Sequence, residues 1–588
     1  MKKLLTLVVI CAMTILVVAC GKKDKATGDI ADSSAAKLLA YVPADTPYVF
    51  AALEPAPEAF TKKMEPLLEE LLPMTKDLLG NTADMLESVS DDEDSAPPAL
   101  IDFLRSSAGL FEEGFADRFG FDKDTLAVFY GNGLMPVSRI LMKDADKFRP
   151  ALADYAKEIK LDLQSAKAGS LEYDYADFEG AVRLMFAIDE DMLVIAIAPS
   201  KLADTDVGTL LGDSKPDASI INAGHLDALA SKYEYLNIGL GYIDMQRIAK
   251  TVIDGPTGLD QAMLEAVGAP MPQISETCSA EYSSIAGAVP RLTLGYTALD
   301  ASGMSLLPVM ELRSDLATAL QPVAGSVPGL TTPGTGLFKM GLALDVKGLR
   351  GFVEDKVAAM VDAPYECPEL MNLNMAAMQA QQATMQPVPP IVNNFRGFYF
   401  DIGDLGDLDF SSPSIPTGAD ISMLLAFDSV DALVQLGQTF VPQLAQMELS
   451  NDGKATLLPT EMMTGSPEQV FAAMSDDLLA IATGDDADDR VETLAALPAT
   501  DERALMSFSV DLAGYAKAMT DVQQSMLGDI EISDDEDGDA AAAAEYLEKN
   551  MEYNKRMQEL YGEIFDRETV TLTITENGFE LPTTISLH

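Results

Sequence analysis

The 588-residue chain contains no tryptophan, 2 histidines, and 40 lysines and arginines against 93 aspartates and glutamates. With 2 histidines it cannot build a histidine-rich zinc site or several independent histidine bases. The absence of tryptophan argues against a carbohydrate platform that relies on indole stacking. The formal net charge of −53 excludes a nucleic-acid binder that relies on bulk electrostatic attraction.

Hydrophobic residues nevertheless make up 48% of the chain, which is enough apolar material for large cores. A typical domain size of about 150 residues predicts roughly two to four domains. Beyond the N-terminal leader, no apolar run approaches the about 20 residues of a membrane-spanning helix. We therefore expect a globular body. A salt-adapted surface or repulsion from anionic membranes explains its acidity at least as well as a cationic ligand does.

The first residues have the three parts of a signal peptide. Two lysines precede an apolar stretch from Leu4 to Val18, and small residues precede Cys20. The Val17-Val18-Ala19-Cys20 motif resembles the lipobox of bacterial lipoproteins. That resemblance implies cleavage of residues 1–19, a diacylglycerol on the Cys20 thiol and an acyl chain on its new amine.

Residues 20–37 are predicted to form the lipidated cysteine and a polar tether. The covalent lipid is the only cofactor that we expect, and several acyl chains together anchor a protein stably. Gly21 occupies the position where aspartate favours inner-membrane retention in enteric lipoproteins, so the outer membrane is favoured. The sequence therefore predicts an envelope protein that faces the periplasm and has the membrane as a partner through its lipid.

Removal of the leader and acylation of Cys20 leave two cysteines, Cys278 and Cys367. In an oxidising compartment they are expected to form a disulfide, with two buried free thiols as the alternative. The bridge would close a long loop and contribute roughly 4 to 5 kcal/mol through chain entropy. Because the two residues lie on either side of a predicted linker, we expect the bridge to join two halves of the protein.

An internal repeat defines those halves. The segments Leu184–Ala196 and Val470–Ala482 match without a gap, and each has the pattern of strand, acidic turn and strand. Asp244 and Asp511 each end an apolar strand and are expected to cap the helix that follows. Three further segments recur in the same order: Tyr48–Leu53 with Leu337–Leu344, Ser138–Asp144 with Ser422–Asp428, and Gly303–Pro308 with Gly578–Pro582.

We therefore predict two homologous halves, 38–315 and 336–588, that arose by internal duplication. Residues 316–335 between them are rich in proline and glycine and are predicted to be a linker. In each half, strand hairpins alternate with helices. This order favours an α+β fold in which helices cover one face of a mainly antiparallel or mixed sheet.

No phosphate-binding loop, dinucleotide glycine pattern, nucleophile elbow or His-Glu-x-x-His motif occurs. His225 is the one interior histidine, and its place next to a helix start favours a structural role. Carboxylate pairs exist through abundance alone, so they do not indicate glycoside hydrolysis. The sequence predicts a protein that is not an enzyme and has no protein-bound metal.

The chain contains 30 methionines, and four of them follow Cys367 with helical spacing. These are Met371, Met375, Met378 and Met385. Steps of this kind place the side chains on one face of a helix. The first interpretation is core packing, and the others are a surface for an apolar ligand or partner helix and a Cu(I) thioether site.

The segment Leu39–Phe50, with the letters LAYVPADTPYVF, resembles the start of mature bacterial envelope proteins from families of unknown function. That resemblance implies an envelope location and no particular activity. The leading hypothesis is a non-enzymatic binding or scaffolding lipoprotein, with an envelope protein or an apolar ligand as partner and no nucleic acid. The alternatives are a chaperone or carrier for apolar cargo that uses the methionine face, and a carboxylate-based hydrolase that acts on envelope material.

Overall fold

The computed structural model describes residues 35–88, 101, 104–105, 108, 114–178, 180–270, 274–406, 418–440, 449–458, 468–518 and 538–588. Cys20 and the predicted signal peptide lie outside these residues. The predicted tether 20–37 overlaps the first described helix, in which Ala35 and Leu38 are buried.

Contacts between residues divide the chain into two compact units. The first unit contains Met1–Ser275, Pro290–Leu307 and Glu531–Ile564. The second unit contains Glu276–Val289, Pro308–Ile530 and Phe565–His588.

The described residues of the first unit form ten strands, which are β1 (Tyr48–Ala52), β2 (Ala127–Asn132), β3 (Met135–Leu141), β4 (Leu163–Ala168), β5 (Leu171–Phe178), β6 (Val182–Asp189), β7 (Met192–Pro199), β8 (Leu240–Asp244), β9 (Arg291–Asp300) and β10 (Gly303–Leu306). Its helices up to residue 267 are α1 (Ala35–Leu39), α2 (Glu58–Ser88), α3 (Phe115–Arg118), α4 (Phe148–Glu158), α5 (Asp204–Leu211), α6 (Ile220–Ala223), α7 (His225–Tyr233), α8 (Met245–Ile253) and α9 (Gly258–Val267).

The second unit contains the helices α10 (Glu276–Ala286), α11 (Ser314–Leu320), α12 (Val346–Asp362), α13 (Met371–Thr384), α14 (Pro390–Asn393), α15 (Asp431–Phe440) and α16 (Ala487–Ala495). Its strands are β11 (Val309–Glu311), β12 (Phe338–Ala343), β13 (Phe395–Asp404), β14 (Asp420–Phe427), β15 (Thr456–Leu457), β16 (Val470–Met474), β17 (Leu478–Thr483), β18 (Met506–Asp511), β19 (Phe565–Thr575), β20 (Gly578–Glu580) and β21 (Thr583–Leu587). The last helix of the chain, α17 (Gly538–Ile564), belongs to the first unit.

Within each unit, every pairing between described strands is antiparallel, which confirms the predicted α+β class. The first sheet has the order β10-β9-β8-β1-β2-β3-β7-β6-β5-β4. The second sheet runs β19-β18-β12-β13-β14-β17-β16-β15, and both β20 and β21 pair with β19. From β9 to β5 in the first unit and from β19 to β15 in the second, the order of repeated segments is the same. A duplication requires this agreement, and common ancestry of the halves stays a prediction.

The strand register corrects one predicted equivalence by a single residue. Val137 pairs with Ala196 in the first sheet, whereas Ser422 pairs with Ala482 in the second. The predicted repeat aligns Ala196 with Ala482, so strand pairing aligns Val137, and not Ser138, with Ser422. A slip of one residue reverses the face on which each side chain lies, so sheet pairing detects what a gapless alignment of short strands misses.

Asp244 and Asp511 confirm the predicted helix caps. The Asp244 side chain accepts a hydrogen bond from the backbone N of Arg247 at 2.9 Å. Asp511 accepts one from the backbone N of Gly514, also at 2.9 Å. Such caps contribute about 1 kcal/mol each.

Helices lie on both faces of the second sheet, so the expectation of one covered face is wrong. Leu424 packs in one core with Val491 of α16, whereas its neighbour Leu425 packs in another with Leu433 of α15. Successive residues of a strand point to opposite faces. The consecutive buried residues Leu478–Ala480 show the same two-sided burial.

The predicted half boundaries are wrong at two places. Helix α10 lies inside the predicted first half but belongs to the second unit, where the Ala288 carbonyl accepts a hydrogen bond from the Arg313 backbone N at 3.1 Å. Helix α17 lies inside the predicted second half but packs on α2 of the first unit. Arg556 of α17 donates to Glu70 of α2 with an Nε to Oε2 distance of 2.8 Å.

Residues 316–335 do not form an open linker. Helix α11 covers the start of this range, and Val323, Ala324, Val327 and Leu330 are at most 5% exposed. Val327 and Leu330 belong to the core of the second unit. The prolines and glycines thus shape a buried connection, because apolar residues between them are anchored in that core.

We expect a protease of broad specificity to leave residues 323–330 intact in the native protein, since cleavage requires local unfolding of a buried segment. N-terminal sequencing of the first fragments measures this, and heat-denatured protein is the control in which the segment should be cut. A first cut inside 323–330 of the native protein would contradict the buried connection.

Candidate functional site

Helices α12 and α13 form a hairpin in the second unit. Asp345 is the N-cap of helix α12, and its side chain accepts a hydrogen bond from the backbone N of Gly348 at 2.8 Å. The two helices pack against each other, and Val357 of α12 and Ala377 of α13 are the residues that they bury. Helix α13 therefore uses a narrow face for packing and leaves most of its surface exposed.

The residues before α13 are held by covalent and polar contacts. Cys367 forms a disulfide with Cys278 of α10, with 4.8 Å between the Cα atoms. The Glu281 carboxylate accepts hydrogen bonds from the backbone N atoms of Glu366 at 2.7 Å and of Cys367 at 3.0 Å.

Two further contacts hold α13 itself. Tyr365 and Asn374 exchange two hydrogen bonds, from the Tyr365 backbone N at 2.9 Å and to its carbonyl at 2.8 Å. At the opposite end of α13, the Arg350 guanidinium donates to the Thr384 carbonyl. The helix is therefore fixed near both of its ends.

The geometry of Cys278 and Cys367 is that of a disulfide, in agreement with the predicted bridge. Its expected role in joining the halves is wrong, because α10 and Cys367 both belong to the second unit. A Glu369 carboxylate oxygen lies 2.9 Å from the Cys367 Sγ and 3.4 Å from the Cys278 Sγ. Although these three groups lie within 4.8 Å of one another, the sulfurs of a disulfide are not thiolate ligands for a metal.

The four predicted methionines lie together on or directly after α13, and we call them the methionine surface. Their residues are 56% exposed for Met371, 52% for Met375, 51% for Met378 and 73% for Met385. The interpretation as core packing is therefore wrong, because α13 turns Ala377 toward its neighbour instead. The predicted interpretations as an apolar binding surface and as a thioether site stay open.

Charge is absent from this part of an acidic protein. No charged residue occurs between Met371 and Phe395, although the whole chain has a net charge of −53. Methionine side chains are flexible and polarizable, so they adapt to irregular apolar partners. When an apolar partner covers the methionine surface, no charged group of that surface loses its water, so binding avoids the cost of desolvating a charge.

A cavity of about 780 Å³ in the first unit is the alternative candidate. Its lining includes Arg105 and Arg556, and both form ion pairs. Arg105 pairs with Asp84 at 2.7 Å and also with Glu87, and Arg556 pairs with Glu70 and Glu559. These carboxylates neutralise arginines, whereas a hydrolase needs two carboxyl groups whose pKa values differ, one to act as an acid and one as a base.

A buried cation and a half-buried carboxyl lie side by side in the second sheet. Lys339 is 7% exposed, and its Nζ donates to the carbonyls of Gly329 at 2.6 Å and Thr332 at 2.8 Å. Strand pairing places Lys339 opposite Asp401. Burial lowers the pKa of Lys339 and raises the pKa of Asp401. The Lys339 amine therefore holds the loop that contains Gly329 and Thr332.

The segment that resembles envelope proteins has a structural role here. The Arg247 guanidinium donates to the carbonyls of Ala44 at 3.0 Å and Thr46 at 3.1 Å. The Thr46 hydroxyl donates to the Gly131 carbonyl at 2.8 Å. His225 hydrogen bonds to the backbone of Ala44, and burial, together with the charge of Arg247, lowers the pKa of its imidazole. These contacts hold the chain in place at the start of β1.

Comparisons with protein-family models, curated proteins and solved structures found no match for the chain. Among the described helices, none combines the length and apolar character that a bilayer crossing requires.

The raised pKa of Asp401 makes a prediction about stability. Its ionised form is disfavoured in the folded protein, so Asp401→Asn should raise the free energy of unfolding at pH 7. The gain should disappear below about pH 3.8, where the carboxyl is protonated in both folded and unfolded chains. Calorimetric unfolding at pH 7 and pH 3.5 measures the difference.

Asp452→Asn is the control, and it should lower the free energy of unfolding at pH 7. A hydrogen bond from the Lys454 backbone N lowers the pKa of Asp452, so the ionised form of this carboxyl is favoured in the folded protein. A loss of stability in Asp401→Asn at pH 7 would mean that the carboxylate stabilises its cationic neighbours by more than its burial costs.

Proposed function

We propose that this protein is a lipid-anchored envelope lipoprotein with a non-enzymatic binding role, and that the methionine surface is its binding site. The observation that carries this proposal is the exposure of four methionines on a helix fixed near both ends. A pre-organised apolar surface reduces the ordering cost of binding. The lipobox motif supplies the location, since it predicts that Cys20 is acylated.

The chemistry of the partner follows from the uncharged surface and the net charge of the whole chain. The surface itself is uncharged, whereas the whole chain carries a net charge of −53. A partner with an apolar face and flanking basic residues is attracted by this acidic body, and complementary charge accelerates association. An anionic membrane is repelled by the same charge. We therefore favour a basic amphipathic segment of another envelope protein.

The carrier and hydrolase alternatives receive less support. A carrier must enclose its apolar cargo, whereas each residue of the methionine surface is more than half exposed. A hydrolase requires two carboxyl groups at a substrate-sized site, and in the described cavity the Asp84 carboxylate is paired with Arg105.

The binding proposal makes a quantitative prediction. A synthetic helix with leucines on one face and lysines on the other should bind the full chain, and the triple variant Met371→Gln, Met375→Gln, Met378→Gln should weaken binding about tenfold or more. Burial of one methionine side chain contributes about 1.5 to 3 kcal/mol, so partial loss of three contacts has this size. Glutamine has nearly the helix propensity of methionine, so α13 should remain folded. Fluorescence anisotropy measures the affinity.

The matched control is the triple variant Met245→Gln, Met310→Gln, Met551→Gln, in which 37 to 41% exposed methionines elsewhere are replaced. It should bind like the unmodified protein. Equal affinity in the first triple variant would contradict the proposal, as would tight binding of a peptide with glutamates in place of lysines. Stoichiometric Cu(I) binding that depends on the same methionines, without peptide binding, would favour the thioether site instead.

The anchoring proposal predicts that Cys20→Ala abolishes incorporation of labelled palmitate and releases the protein into the soluble periplasmic fraction. The lipid is expected to provide the membrane affinity, and several acyl chains are needed for stable attachment. Cys11→Ala is the matched control, because Cys11 lies inside the predicted leader and is removed with it. Label that persists in Cys20→Ala would contradict acylation at this residue.

A further inference from the structure

We propose that the methionine surface is also a site of reversible oxidation, and that sulfoxide formation at Met371, Met375 and Met378 switches off binding. The modification stands on the exposure of the sulfur-bearing side chains, and its effect on binding rests on the proposed function. The oxidant is a hydroperoxide or a related two-electron oxidant of the cell envelope.

The methionines differ in their exposure to solvent and therefore to a dissolved oxidant. The three residues on α13 are more than half exposed, whereas Met135 is 1% exposed and Met185 is 0% exposed. Both cysteines among the described residues are already joined in the disulfide, so they do not offer a free thiol to the oxidant. The most exposed methionine residues in the described part of the chain therefore lie on the methionine surface.

Oxidation of a methionine transfers one oxygen atom to its sulfur. The thioether sulfur attacks one oxygen of a hydroperoxide, an S–O bond forms and the O–O bond breaks. The sulfur loses two electrons, the hydroperoxide is reduced to an alcohol or to water, and the proton of the transferred oxygen moves to the leaving oxygen. The product is a sulfoxide, which is polar and chiral, and sulfoxide reductases restore the thioether.

Oxidation makes the methionine surface more polar. Each sulfoxide replaces part of an apolar contact with a polar S–O group, and a partner must remove water from that group to bind. The fold should survive, because these side chains do not form the core, and α13 is held by the disulfide and by Arg350. Oxidation is thus expected to remove binding without unfolding the protein.

The experiment exposes the full chain to a limiting amount of hydrogen peroxide and measures sulfoxide at each methionine by peptide mass spectrometry over time. Met371, Met375 and Met378 should be oxidised at least tenfold faster than Met135 and Met185. Over the same time course, the affinity for the leucine and lysine peptide should fall about tenfold or more, while circular dichroism stays unchanged. A methionine sulfoxide reductase should restore the affinity.

The matched variant is Met371→Leu, Met375→Leu, Met378→Leu, Met385→Leu, which keeps the surface apolar and leaves no methionine on it for peroxide to oxidise. It should bind the peptide before and after peroxide treatment. Equal oxidation rates at exposed and buried methionines would overturn the site, and unchanged affinity after oxidation of all three would overturn the switch. If the untreated protein fails to bind the peptide, the proposed function fails, whereas the oxidation rates still test the modification separately.

Discussion

The exposed methionine surface depends on the contacts that hold α13 in place. A helix of 14 residues is marginal in water by itself, and α13 buries Ala377 as its one fully buried residue. The disulfide between Cys278 and Cys367 restricts the unfolded chain, and the hydrogen bonds of Glu281 fix the segment before the helix. An uncharged helix can therefore remain folded with its methionines in water.

Buried cations hold loops in place on both sheets. Each sheet buries one cation against a tyrosine ring: Arg139 lies 4.1 Å from the ring of Tyr41, and Lys339 lies 4.2 Å from the ring of Tyr399. Arg139 also donates to the Tyr130 hydroxyl at 3.0 Å and to the Leu211 carbonyl at 2.9 Å. These buried groups are satisfied by aromatic rings and carbonyls, so they fix loops on the sheets and are not available to a substrate.

Local sequence patterns predicted the parts of this structure that depend on neighbouring residues. The strand hairpin at Leu184–Ala196 and the helix caps at Asp244 and Asp511 follow from alternation and capping chemistry, and the disulfide follows from counting cysteines in an oxidising compartment. The helical spacing of the methionines was also predicted, because it is a property of one helix. Spacing alone does not state whether a helix face meets protein or water, so core packing was the wrong interpretation.

Long-range packing explains the other errors. The transfer of α10 and α17 to the other unit results from contacts between residues far apart in sequence, such as Arg556 with Glu70. Proline and glycine suggested an open linker, but Val327 and Leu330 are anchored in the core and override that local signal. The pairing of Lys339 with Asp401 depends on sheet register, for which a single sequence contains no direct signal.

The central claim is that partners bind at the methionine surface, and the most direct measurement is NMR of methionine methyl groups labelled with carbon-13 during titration with the basic amphipathic peptide. Shifts are expected at Met371, Met375, Met378 and Met385, with unchanged signals from the buried Met135 and Met185. Peptide binding that leaves the four exposed signals unchanged and shifts methionines elsewhere would contradict binding at this surface.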